Sequence, residues 1–184
     1  MKILNEFFSF STEKETAHKL YGVIIEQARQ PAFYRDVGVA DTFDGRFDLI
    51  ALHMILVIRR MKKDVEVTRK LSQALFDYMF DDIDLNLREM GIGDMGVVKR
   101  VNKMAKAFYG RLESYDSGIS QDDDVALCAA LERNLFRDNE ASKENLALIA
   151  AYIRRESVQL EAFEVERLLE GELEFGPPPG MEPC

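Results

Sequence analysis

Between Phe47 and Ile58 the chain reads FDLIALHMILVI, and almost every side chain in it is apolar. A helix that is hydrophobic on most sides must be covered on most sides, either by protein or by lipid. A membrane span requires about 20 such residues. Here Asp48 sits near the start and Arg59, Arg60, Lys62 and Lys63 close a much shorter run, so the segment reads as a central core helix. The cations of its last turn also suit a helix C-terminus. His53, embedded in this run, reads as a satisfied core residue and not as a metal ligand, because metal sites gather several ligands.

The rest of the chain supplies the covering helices. Its 184 residues suffice for one domain with a real core. Thr12 and Glu15 have capping-box spacing, and Ala17, Leu20, Tyr21, Ile24 and Ala28 follow as an apolar stripe that Pro31 stops. From Pro31 to Gly45 the period is lost, and aromatics among glycines and aspartates indicate an ordered loop laid on the core. A long helix is expected from Val65 or Thr68 to Met90, a turn over Ser114 to Gln121, a helix after Asp122, Asp123 and Asp124, and a last long helix from Ser142. No strand pair or internal repeat is visible. The expected fold is all-α, a single-domain bundle of about six to seven helices with a buried central helix. Within it, residues 1–30 form an N-terminal helix packed on the body, 31–155 the main helical unit, and 156–184 an acidic helix end with a frayed, proline-rich tail.

The most distinctive local pattern runs from Phe76 to Arg111. Phe76, Met79, Phe80, Ile83, Leu87 and Met90 make one helical face, and Asp77, Asp81 and Asp84 another. Gly91 supplies a helix-ending residue, and Asp94 can cap the next helix. That helix carries Val98, Val101, Ala105, Phe108 and Leu112 on its expected apolar side, with Lys99, Arg100, Lys103, Lys106 and Arg111 and no acid between Met95 and Leu112. An acidic helix therefore turns into a basic one. Asp82, Asn86, Arg88, Glu89, Gly91, Gly93, Asp94, Gly96, Lys99, Arg100, Lys103, Lys106, Tyr109 and Arg111 are the candidate protein-binding residues of this hairpin. The bland alternative is a solvated face whose ion pairs contribute only about 0–1 kcal/mol each.

Catalytic patterns fail on specific requirements. Gly91 to Gly96 fits G-x-G-x-x-G, but a helix precedes it where a dinucleotide site needs a strand. Asp82, Asp84 and Asn86 imitate the start of an EF-hand loop, yet Leu87 and Gly93 occupy the positions that require Gly and Glu. Glu15 and His18 have Glu-x-x-His spacing without the second copy that a di-iron bundle uses. Cys128 and Cys184 suggest neither a disulfide framework nor a zinc site. No cofactor, metal or catalytic residue is expected. An all-α magnesium enzyme using Asp81, Asp82 and Asp84 on a phosphorylated substrate remains as an alternative, as does a general interaction adaptor.

Lys and Arg number 24 against 33 Asp and Glu, and the net charge of −9 disfavours DNA and anionic lipid except at a local basic patch. RNA binding would want more stacking aromatics than Tyr109 alone. The first residues, MKILNEFFSF, make neither a secretory signal nor an arginine-rich presequence, so a cytoplasmic setting is expected. Ile3, Leu4, Phe7, Phe8 and Phe10 are expected to pack on the body. Met54, Met61, Met79, Met90, Met95 and Met104 cluster in the central third, where thioethers fill cores or line surfaces for apolar partners. Core packing is the expectation.

Three segments together resemble the ubiquinol–cytochrome c chaperone family. They are DGRFDLIALHMILVIRR (Asp44 to Arg60), LSQALFDYMFDDIDLNLREMGIGDMGV (Leu71 to Val97) and KRVNKMAKAFYGR (Lys99 to Arg111), followed by Tyr115 and Asp116. The resemblance covers about Pro31 to Tyr152. It implies a non-catalytic helical chaperone that binds newly made cytochrome b, or another subunit of the cytochrome bc1 complex, and promotes assembly of that complex. In mitochondria the family acts with a small partner protein near the ribosome exit. For this chain it implies action at the face of the bacterial inner membrane, with membrane contact through the client only.

Overall fold

Thr42 starts the central helix by accepting the Gly45 N–H on its hydroxyl, which satisfies one of the free donors of the first turn. The helix then runs unbroken from Phe43 to Lys62 and takes the apolar run into the middle of the protein. The computed structural model describes residues 2–137 and 139–180, with side chains from Thr12 onward. Among them are eight helices and no strand: α1 (Lys2–Ala28), α2 (Pro31–Arg35), α3 (Phe43–Lys62), α4 (Val65–Glu89), α5 (Asp94–Ile119), α6 (Val125–Asn134), α7 (Lys143–Glu161) and α8 (Val165–Glu170). Six are long and two are short, and one hydrophobic core joins them. α3 packs against α1, α4, α5 and α7 together, which accounts for a helix apolar on nearly every side.

Three local expectations are corrected. The first helix begins at Lys2, so Thr12 lies inside it; a Ser-Thr pair costs about 0.7 kcal/mol per residue or less in helix propensity, too little to stop a helix. The expected packing of Ile3, Leu4, Phe7, Phe8 and Phe10 falls outside the described side chains. Pro31 ends α1 but also opens the short α2, since its fixed φ and missing N–H suit a first helical position. Beyond α2 the expected ordered loop is present, with Val37 and Val39 buried. The turn expected at Ser114 is helix as far as Ile119. Gly118 there is a packing residue: a Cβ on it would stand 2.8 Å from Leu127 Cα, so α5 and α6 can approach only across a bare glycine.

The proline-rich end also departs from the frayed tail expected of it. Leu173 is buried, Phe175 lies edge-on to the His53 ring at 5.1 Å, and the Gly176 N–H donates to the buried Glu156 carboxylate at 2.9 Å. These contacts hold residues 173–176 across α3 and α7.

They meet a buried polar chain at the centre of the bundle. His53 is fully buried; its Nδ1 lies 2.8 Å from the Leu49 carbonyl and its Nε2 2.8 Å from the Tyr152 hydroxyl. A carbonyl only accepts, so Nδ1 carries the proton and Nε2 accepts from Tyr152. The Tyr152 oxygen in turn accepts from Gln27 Nε2 at 2.9 Å, and the same amide nitrogen reaches the Gly176 carbonyl at 2.9 Å. One chain of hydrogen bonds thus ties α1, α3, α7 and the tail. Burial lowers the His53 pKa to about 4, the bond to Leu49 opposing the shift in part.

Candidate functional site

The α4–α5 hairpin closes as its glycines suggested. Gly91 has φ of +80°, the Gly91 N–H donates to the Arg88 carbonyl and the Ile92 N–H to Leu87, the paired bonds of a Schellman ending. α5 then starts after Gly93, which has extended backbone and no side-chain cap. Asp94, expected to cap, is instead the first helical residue and pairs with Arg88. Arg88 also pairs with Asp84, so one guanidinium ties the end of α4 to the start of α5. Asp82 accepts the Tyr21 hydroxyl at 3.0 Å, and the Asn86 amide donates to the Asp82 carbonyl at 2.6 Å. Burial and then the Asp82 carboxylate raise the Tyr21 pKa, keeping that hydroxyl a donor. Asp82, Asp84 and Asn86 on the acidic arm are therefore occupied with internal contacts.

The basic arm is not. Lys99, Arg100, Lys103 and Lys106 are exposed, and no ion pair joins any of them to another described residue. Tyr109 is exposed at the far end of this row, its ring 5.5 Å from that of Phe76. Glu89 is exposed beside the turn.

Arg111 differs from the other α5 cations. Its side chain is 4% exposed and donates to Asp48, itself 1% exposed, at 2.7 Å. Arg137 reaches the same carboxylate at 3.0 Å and Asp44 at 3.5 Å. The face of α5 that enters the core is Val97, Met104, Phe108, Arg111 and Tyr115; of the expected Val98, Val101, Ala105, Phe108 and Leu112, Phe108 is fully buried and the rest of the stripe lies one position round. Val98 is exposed, while Val101, Ala105 and Leu112 are only partly buried. The spacing of seven, four, three and four residues places Arg111 on the core stripe, a helical spacing that the Val98 stripe shares, so the sequence alone does not mark Arg111 as a buried partner.

The methionines divide. Met54, Met61, Met79 and Met104 are buried, but Met90 is 57% and Met95 89% exposed on either side of the turn, with Leu85 and Val98 exposed nearby. The end of the hairpin thus presents apolar side chains beside unpaired cations. The other sequence candidates are engaged elsewhere: His18 Nδ1 lies 2.7 Å from the Tyr78 hydroxyl, and Asp82 and Asp84 serve Tyr21 and Arg88. Among the described residues no group of His, Cys, Asp and Glu could hold a metal ion, and no helix is long and apolar enough to cross a membrane.

With this geometry in place, comparison with known proteins shows that the family described as ubiquinol-cytochrome C chaperone matches residues 35–175. The chain belongs to this chaperone family. The match continues past Tyr152 to include α8, Leu173 and Phe175, the segments docked on the core. The ubiquinol-cytochrome c reductase complex assembly factor 1 of Mus musculus is 28% identical over 165 residues, covering 89% of this chain and 56% of the mouse protein. The Xenopus laevis protein of the same name is 27% identical over 156 residues, covering 85% and 78%. The chain thus spans little more than half the length of the mouse relative. The crystal structure of the Cbp3 homolog from Brucella abortus superposes with a TM-score of 0.83 at 34% identity, covering 96% of this chain and 97% of that one. The all-helical chaperone fold is shared along essentially its whole length.

Proposed function

We propose that this chain is a non-catalytic assembly chaperone of the cytochrome bc1 complex, and that it holds newly made cytochrome b at the end of the α4–α5 hairpin. Membership of the chaperone family over residues 35–175 carries the reading, supported by relatives that are named assembly factors of that complex. The proposed contact is made by Met90, Met95 and Val98, with Lys99, Lys103 and Lys106 beside them. Flexible thioethers adapt to apolar helices of varied shape. Flanking cations would meet acids or phosphates at the ends of a transmembrane segment, leaving membrane contact to the client.

The surface is tested by co-purification of cytochrome b with tagged protein from cells. A Met95→Glu/Lys99→Glu variant is expected to lose about ten-fold or more of the client, because burying an unpaired carboxylate and losing a charge contact together exceed 1.4 kcal/mol. Both positions are exposed, so the variant should keep its melting temperature. Undiminished recovery with the variant folded would move the client surface elsewhere.

A further inference from the structure

A cleft of about 420 Å3 opens between the first turn of α3 and the middle of α5. Arg100 and Lys103 reach its rim from α5, Arg137 closes it from the segment after α6, and Arg111 lies in its floor. Phe47 and Met104 form apolar wall. Three cations from α5 and one from the segment after α6 therefore line one concavity, and Asp44 is the one carboxylate among its described lining residues.

Arg137 is paired with Asp44 and Asp48, and two features indicate that the α5 cations still have binding capacity. Arg100 and Lys103 make no ion pair with any described residue. Arg111 is more than nine-tenths buried and spends one terminal nitrogen on Asp48, and its buried Nε has no hydrogen-bond partner among the described residues. A buried donor without an acceptor is costly, and such groups are rare unless a ligand or water completes them. The N-terminal turn of α3, a 20-residue helix, lines the same cleft and adds its positive dipole end.

The geometry points to an oxyanion site for a phosphate group carried on a partly apolar body. Several donors converging from different directions suit the multiple oxygens of a phosphate, and arginines bind such groups with directed pairs of hydrogen bonds. Arg100, Lys103 and Arg111 line the cleft from α5 and Arg137 adds a fourth cation from the segment after α6, so a single anionic group seated in the open cleft can meet cations from two elements. Phe47 and Met104 would contact the attached organic part. The cleft shares Lys103 with the proposed cytochrome b surface, but phosphate binding is read on the purified chain without cytochrome b, so its failure and the failure of that surface are distinguishable.

The test uses the full chain and titration calorimetry with inorganic phosphate and with glycerol 3-phosphate, alongside flotation with vesicles of phosphatidylglycerol in phosphatidylcholine. Saturable phosphate binding is expected, weakening about ten-fold or more in Arg100→Gln/Lys103→Gln through loss of two charge-assisted hydrogen bonds, and unchanged in Lys143→Gln on α7. Both cleft substitutions are at exposed positions, so an unaltered melting curve separates lost binding from lost folding. Flotation that the double substitution abolishes would identify a lipid headgroup as the source. Phosphate binding without flotation would identify a soluble phosphoester. Absence of saturable binding at millimolar phosphate, or equal binding by the double variant, would overturn the site, as would binding of polyglutamate at the cleft that phosphate does not displace.

Discussion

Replacing Asp48 by Ala is expected to destabilise the protein by about 3–5 kcal/mol, because it leaves the buried Arg111 guanidinium without its counter-charge. The penalty comes from the arrangement of the pair. Asp48 projects from α3 and Arg111 from α5, both almost wholly inside the protein, and Arg111 Nε already has no hydrogen-bond partner among the described residues. Arg137 touches the same Asp48 oxygen set but is about one-third exposed, so solvent can take over its charge and Arg137→Ala should cost about 1 kcal/mol or less. Replacing both partners, as Asp48→Leu/Arg111→Met, removes the orphaned charge and should recover most of the loss. Urea unfolding of the three variants measures this. An Asp48→Ala midpoint near that of the unaltered protein would show that water takes over the Arg111 guanidinium.

Lowering the pH should weaken the fold through His53 before most carboxylates titrate. Burial holds its folded pKa at about 4 against about 6.5 for an exposed histidine. Between those values the unfolded chain binds a proton that the folded chain refuses. The contribution is therefore fully present above pH 6.5 and is lost as pH falls toward 4, at about 1.4 kcal/mol per unit and about 3 kcal/mol in all. Protonation would also put a proton on Nε2, where Tyr152 now donates, and so break the chain that reaches Gln27 and the tail. Stability measured from pH 7 to 5 should fall steeply in the natural protein and much less in His53→Gln. Parallel pH profiles for the two would contradict this assignment.

The elements that local pattern determines were legible in the sequence. The run from Phe47 to Ile58 forms the buried helix, and Gly91 ends α4 through backbone bonds that its own φ makes possible. Ser142 caps α7 with its side chain, a preference written in one residue. What was not legible depends on partners far away in sequence. Phe175 docks on His53, more than a hundred residues earlier, and nothing in a stretch of glutamate, glycine and proline announces that contact. Arg111 finds Asp48 across 63 residues. In the candidate surface, charge alone grouped Arg111 with Lys99 and Lys106, whereas its position on the core stripe of α5 separates it from them. Periodicity could not choose between the Val97 and Val98 stripes, because both keep helical spacing and only packing against α3 and α4 decides which one is buried. The exposure of Met90 and Met95 was equally beyond local pattern, since a methionine beside a turn is equally compatible with core and surface.

The assembly role is tested most directly by deleting the gene in the organism that carries it and recording the reduced-minus-oxidised haem spectrum of its membranes. Haem-loaded cytochrome b is expected to fall several-fold and to return when the gene is restored. A normal cytochrome b signal in membranes lacking this protein would contradict the assembly role.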